Sequence, residues 1–585
     1  MAHPPPAPHH EVKDLHRILR DELAGRRRRA QRDPTPAILS GSGEQALDDL
    51  LYFADPVAFR QAAGELRSQL RSAFATASLG EQRHILHFIA ELAIRLSSLL
   101  PSWNLTNPTA NPDALSPTEV HAIARGYKEL VADLSRQASA ASESLLDTWR
   151  KETTARFRAE SAEDPVAEAA AFGGSSIPAF VEAIADAVES SNLRRIADLR
   201  WAGATRTEIS NDYAAFLPYT LLLGASFVTC NPPLVDLAWK AEPETWDPVV
   251  DRVIASHADA DADGLARAVT LEIVLANMLR LRPIFLLTEG RMGFVSLQVN
   301  PKRHDDAARM IQDARAIHYE LQDRLAGGVP NVVFKLPATG AGLEACTALV
   351  SEALGVNITV NFSLFQHLAF AGSIRQGKAM LGVLSHMSGR LAFPVRDELL
   401  GKLGELGKLG ISETQARQAA AWSGVAVLKR LHRCLASRGV DLARVRPLIA
   451  SLRVYTDAAY AGLPSPIPDI TEVIGTGILT VFPNVRRAFD RLPMVPLDGQ
   501  RIEIPVPDEV LRVLRHSETF KQAYWLGPQA DGEPEPADLR PAHPLSLEDR
   551  AGTASWTPVA NTLDEFCKAY DTFVDRIQAR RPRAG

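Results

Sequence analysis

The chain predicts an α/β protein: a (β/α)8 barrel of parallel strands with an all-helical extension on its amino-terminal side. Three observations predict it. Beyond about residue 190, short apolar runs of strand length alternate with helical segments, and strands separated by helices call for a parallel sheet covered on its outside. Seven such runs are legible, and an eighth before Asp212 would complete the number that closes a barrel. Between residues 45 and 162, by contrast, apolar residues recur only at helical spacing.

Composition narrows the class. A chain of 585 residues is long for one core. Its 46% hydrophobic and 23% charged residues are ordinary for a globular protein, and a net charge of -6 argues against nucleic-acid binding. Arg26 to Arg29 form a basic run without stacking aromatics, which reads as a solvated face. The four cysteines (Cys230, Cys346, Cys434, Cys567) are scattered, with no CxxC spacing. That pattern offers neither a disulfide framework nor a zinc site, and it fits a reducing cytoplasm. No run reaches the length of about 18 apolar residues that spans a bilayer; the longest, 216–228, is shorter.

Taken in order, residues 1–44 hold Pro4, Pro5, Pro6, His9 and His10 and predict a disordered tail, with at most a helix near Val12 to Leu23. Residues 45–185 predict the helical extension, with stripes such as Leu47, Leu50, Leu51 and Phe88, Ile89, Leu92, and a cap at Ser116. The barrel is expected over 186–525, its strands near 225–229, 293–299, 332–334, 356–360, 381–384, 448–452 and 478–482. Residues 526–557 turn Pro- and acid-rich and predict an ordered-to-loose loop excursion. Residues 558–580 have the apolar period of a closing helix packed on the barrel.

In a barrel, chemistry gathers at the carboxyl ends of the strands. Lys335 follows the apolar run Val332-Val-Phe334. Partial desolvation there favours the neutral amine, a nucleophile for carbonyls; a lysine that snorkels out to a carboxylate is the plainer reading of that stretch alone. Other polar residues at strand ends are Asn231, Gln298, Asn300, Asn357, Thr359, Ser385, His386, Arg390 and Arg453. Arginines fork phosphates, Asn and Thr hold hydroxyls, and the lysine can form an imine, a set that suits a phosphosugar. Asp259, Asp261, Asp263 and Gly264 copy the start of a calcium loop, but its twelfth position is Thr270 rather than glutamate, so helix capping is expected instead.

These residues resemble the transaldolase family. The resemblance rests on Val228-Thr-Cys-Asn-Pro232, Val295-Ser-Leu-Gln-Val-Asn300, Phe334-Lys-Leu-Pro-Ala-Thr339, Asn357-Ile-Thr-Val-Asn-Phe-Ser363, Ser385-His-Met-Ser-Gly-Arg390 and Ala450-Ser-Leu-Arg453, six pieces in register. It implies a cytoplasmic transferase of carbohydrate metabolism, in the pentose phosphate pathway. Such an enzyme moves a three-carbon ketol unit between a phosphorylated ketose and an aldose, without cofactor or metal. Lys335 would be the Schiff-base lysine, with Gln298 and Asp212 in proton transfer. Asn231, Asn357 and Thr359 would line the ketose end, and Ser385, Arg390 and Arg453 would hold the phosphate. Departures are plain. Gln298 stands where the family usually has glutamate, as in the related fructose-6-phosphate aldolases. His386 replaces a proline, and Met387 replaces the phenylalanine or tyrosine of the two branches. Glu208, Asp198 and His386 stay open beside Asp212 as the acid or base. An aldolase that releases the fragment, and a non-catalytic sugar-phosphate binder, are the alternatives. No nucleic-acid or membrane partner is expected, and the extension leaves room for homo-oligomerisation.

Overall fold

A computed structural model describes residues 12–99, 104–109, 111–214, 217–527 and 537–581. Eight strands, β1 (Glu208–Asn211), β2 (Ala225–Cys230), β3 (Phe294–Gln298), β4 (Val332–Pro337), β5 (Gly355–Asn361), β6 (Gly382–Met387), β7 (Val445–Ala450) and β8 (Ile478–Val481), close in sequence order into a parallel barrel. The predicted (β/α)8 class is therefore observed. Val, Ile and Leu dominate these strands because both sheet faces are buried, so apolar runs are continuous rather than alternating. β1 is the exception. Its sequence Glu-Ile-Ser-Asn carries no apolar run, yet all four residues are buried. Its polar side chains find partners inside: Glu208 with Arg446 at 2.6 Å and Ser226 at 2.7 Å, and Ser210 with Thr480 at 2.9 Å.

The extension is a helical bundle (Pro56–Thr76, Leu79–Ser97, Pro117–Gln137, Ser139–Ala159, Ile177–Glu189). Ser78 and Ser116 start their helices with full capping boxes, each paired to a glutamate three residues on. The bundle does not have a core of its own. Its buried residues are continuous with the barrel's outer layer, including Trp149, Phe180 and Val181 on one side and Leu217, Trp239 and Phe489 on the other. Charge joins the two regions as well: buried Glu160 pairs with Arg486 and Arg487 of the helix Pro483–Asp490 that follows β8.

The expected disorder over 1–44 is overturned for the described part. Residues Val12–Ala30 form a helix whose Leu19 and Leu23 pack with Phe227, Phe294, Val333, Val383, Leu448 and Ile478 at the amino-terminal end of the barrel. Its basic composition hid a stripe at helical spacing, Leu15, Ile18, Leu19 and Leu23, that needs burial. Arg282, 1% exposed on its side chain, donates to Glu22 of this helix, and Arg26 and Arg29 pair with Asp49 at 3.4 and 3.3 Å. Pro4 to His10 lie outside the described residues. The excursion at 526–557 is also packed rather than loose where it is described, since Leu539, Leu545, Leu547 and Trp556 are buried; residues 528–536 lie outside.

The closing helix, Thr557–Arg580, runs across the carboxyl end of the barrel. It touches β5 and the helix Ser388–Gly401 on one side and the helices Pro232–Ala241 and Ala262–Leu287 on the other. Among the described residues no helix is long and apolar enough to cross a membrane.

Candidate active site

Lys335 projects from β4 with 6% of its surface exposed. Register sets it between Gln298 on β3 and Asn357 on β5. Burial pulls its amine below the ordinary lysine range, and Arg390 adds to that, while the charges of Asp212 and Cys230 oppose it. Asp212, one residue past β1, is pushed up by burial, against the pull of Lys335 and of a hydrogen bond from Thr229 at 2.5 Å. Burial outweighs attraction at both groups, which moves the lysine pKa down and the aspartate pKa up.

Two chains of neutral hydrogen bonds line the interior around this pair. In one, Ser385 donates to Asn357 at 2.6 Å, and Asn357 donates to Ser296 at 2.8 Å. In the other, Thr480 joins Thr229 at 2.8 Å and Ser210 at 2.9 Å. Thr359 donates to the Met387 sulfur at 3.7 Å. Ser210, Thr229, Ser296 and Thr480 are contributors that the sequence reading did not single out as site residues. The signal was period-two alternation within each strand, since Ser296 is two before Gln298 and Ser210 two before Asp212.

The recess that reaches Lys335 holds only about 10 Å³, room for roughly one water. Gln298, Pro337, Thr359 and Val360 line it from the barrel, and Leu563 and Phe566 of the closing helix cover it. Val360 has φ 52°, a left-handed conformation that costs a β-branched residue strain at this strand end. The Gln298 side-chain oxygen is buried without a hydrogen-bond partner. Gln298, Asn300 and Met310 also line a cleft of about 360 Å³ beside the recess, together with Asn231, Arg267, Arg303 and Arg309. Asn231 faces that cleft rather than the lysine recess, and its side chain caps the helix Pro232–Ala241 by accepting from Leu234 N at 2.9 Å.

The two arginines sit at the rim. Arg390 makes a two-pronged ion pair with Glu565 of the closing helix, one contact being 2.6 Å, and its guanidinium lies 5.5 Å from the Phe566 ring. Arg453 lies over Phe393 at 5.0 Å, and its Nε is buried without a partner. Gly389 permits their approach: a Cβ there would fall 2.3 Å from the Ser451 oxygen and 2.5 Å from Arg453 Cγ.

Three open candidates for the acid or base are not at the lysine. His386 alternates with Ser385 and Met387, so it points outward into the helix layer, 3.3 Å from His367, and burial drives its pKa to about 3. Glu208 is held by Arg446 two residues below Ser210. Asp198 is half exposed and bound to Arg194 at 2.9 Å. The acidic run caps as expected: Asp261 accepts from Gly264 N at 2.7 Å, and Asp263 accepts from Tyr570 at 2.9 Å. Among the described residues, no group of three or more His, Cys, Asp or Glu side chains is placed to hold a metal.

A family model for transaldolase and fructose-6-phosphate aldolase matches residues 204–495, from just before β1 to just beyond β8. The chain is 28% identical over 334 residues to a transaldolase of Mycolicibacterium smegmatis, covering 51% of this chain and 84% of that protein. It is 30% identical over 251 residues to a transaldolase of Parafrankia, covering 41% and 65%. The chain belongs to the transaldolase family. A third relative, a transaldolase of Thermobifida fusca, is 40% identical over 97 residues, a stretch that spans a quarter of that protein's length (25%). The family match takes in Lys335, Asp212, Gln298, Asn357, Ser385, Arg390 and Arg453, and it leaves out both the bundle and the closing helix. This transaldolase barrel is thus closed at each end by helices from outside its family region.

Proposed function

We propose that the chain is a transaldolase-type enzyme that moves a three-carbon ketol unit between sugar phosphates through an imine at Lys335. The observation that carries the reading is Lys335 itself, 6% exposed inside the barrel between Gln298 and Asn357, with its amine pulled below the ordinary lysine range by burial and the Asp212 carboxyl pushed up. A neutral amine attacks the ketose carbonyl, and a protonated Asp212 supplies the proton that lets hydroxide leave as water. The resulting cationic imine draws electrons from the neighbouring C–C bond. With Asp212, now a carboxylate, taking the hydroxyl proton, that bond breaks, an aldose leaves and an enamine stays on Lys335. An acceptor aldehyde then takes the fragment. Asn357, Ser385 and Thr359 hold hydroxyls, and Arg390 and Arg453 bind the phosphate. Gln298 cannot exchange a proton, but its unpartnered oxygen can hold a water.

Gln298 also supports a second reading, an aldolase that releases the fragment, since the same imine serves both outcomes. Localisation to the cytoplasm is supported by the scattered spacing of the four cysteines, with no CxxC pair.

Borohydride trapping with ketose phosphates, read by intact mass, tests the chemistry. The wild type is expected to gain one reduced adduct and Lys335→Ala none. Trapping is expected to fade as pH drops through the amine's pKa, which burial places below that of an ordinary lysine. Adducts that survive Lys335→Ala would remove the mechanism. No adduct with any ketose would favour a non-catalytic sugar-phosphate binder.

A further inference from the structure

The Lys335 recess, at about 10 Å³, admits a water and not a sugar. Something that covers it must move. The cover is one turn of the closing helix, in which Leu563 and Phe566 line the recess and Glu565 faces the rim. Glu565 engages Arg390 with both carboxylate oxygens, the two-pronged geometry with which a guanidinium also takes a phosphate. Its charge acts on Arg453 too, whose Nε stays buried and unpartnered. A carboxylate thus already sits where an anionic group of the substrate would bind, and one donor beside it is unused. Glu565 is itself 56% exposed on its side chain, so water can replace the arginine as its partner.

We propose that Glu565 is a specificity-determining residue: it occupies the Arg390–Arg453 anion site, and a substrate phosphate binds by displacing it, which lifts Leu563 and Phe566 off Lys335. The inference rests on the reading of the two arginines as the phosphate-binding pair. A phosphate near neutral pH carries close to two charges and three acceptor oxygens, against one charge and two oxygens for the carboxylate. It can hold Arg390 and also reach the unused Arg453 Nε. An unphosphorylated sugar offers neither, so it leaves the helix down. Ejecting Glu565 and uncovering the lysine are then one event, because the three residues share a helical turn.

The test uses inorganic phosphate and the full chain, with dissociation constants measured by calorimetry for wild type, Glu565→Gln, Arg390→Ala and the double variant. Glu565→Gln is expected to tighten phosphate about tenfold or more, and Arg390→Ala to abolish that gain. Hydrogen exchange across 557–570 is expected to rise when wild type binds phosphate. In turnover, Glu565→Gln is expected to narrow the preference for a phosphorylated ketose over its unphosphorylated counterpart, because the helix no longer needs a phosphate to leave Lys335. Equal phosphate affinity in wild type and Glu565→Gln, with Arg390→Ala weaker than both, overturns the inference and leaves the arginine assignment standing. Phosphate binding that Arg390→Ala leaves untouched, or none in any variant, overturns both. Neither result depends on Lys335, whose imine is read separately by borohydride trapping with a ketose phosphate.

Discussion

The two ends of the barrel are closed by helices, but by different means. At the amino-terminal end Leu19 and Leu23 enter an apolar cluster with Phe227, Phe294 and Val333. At the carboxyl end the closing helix is anchored at its far half, where Phe573 meets Trp239 edge to face at 6.4 Å, and Arg576 and Arg580 pair with Asp236 and Asp251. Over the lysine its hold is lighter, an ion pair and two apolar side chains above a water-sized void. Apolar burial has no competing partner in water, whereas an exposed ion pair exchanges with any stronger ion. The first closure is built to stay and the second to give way.

Substitutions can break that contrast. Leu19→Ala is expected to cost the most, about 2–5 kcal/mol of global stability, by removing a side chain 1% exposed from a dry cluster. Chemical denaturation checks it, and a loss under about 1 kcal/mol would mean that the helix is only laid against the barrel. Arg390→Ala is expected to leave stability nearly intact and lower kcat/KM for phosphorylated substrates about 10- to 150-fold, from roughly 1.5–3 kcal/mol of charged hydrogen bonding. Equal losses for unphosphorylated analogues would make its role structural. Tyr570→Phe removes the bond to Asp263 that steadies the middle of the closing helix. It is expected to cost about 0.5–1.5 kcal/mol, read as faster hydrogen exchange in Thr557–Arg580 with the Val12–Ala30 helix unchanged. Faster exchange at both would show that the ends are coupled.

Much of this was legible beforehand, and the failures have physical causes. β2 to β8 announced themselves because strands buried on both faces must be apolar throughout. β1 did not, because its side chains satisfy one another across the barrel, and cross-strand partners such as Thr480 lie 270 residues away. Lys335, Asn357 and Arg453 were singled out as candidates from their place at strand ends. Asp212 could not be chosen over Glu208 without register, which shows Glu208 engaged by Arg446. His386 looked like a site residue because sequence does not tell which of two adjacent strand positions faces in. A helix near Val12 to Leu23 was allowed for, but its reach to Ala30 and its packing on the barrel were missed because its composition is that of a solvated tail, and Glu565 because an acidic residue on an exposed helix face is unremarkable until its partner is seen.

The sealed end carries a consequence in time. The Val12–Ala30 helix is synthesised before the barrel it enters, and its partner Arg282 lies 260 residues beyond Glu22. At about 5–20 residues per second, that separation is roughly 10–50 seconds of synthesis, and Ile478 comes later still. Over that interval the stripe of Leu15, Ile18, Leu19 and Leu23 has no barrel to enter and is open to association with other chains. The barrel has to close onto a segment that has been kept waiting. Yield during synthesis is therefore set by how well that stripe is kept apart from its neighbours, before the stability of the finished fold comes into play.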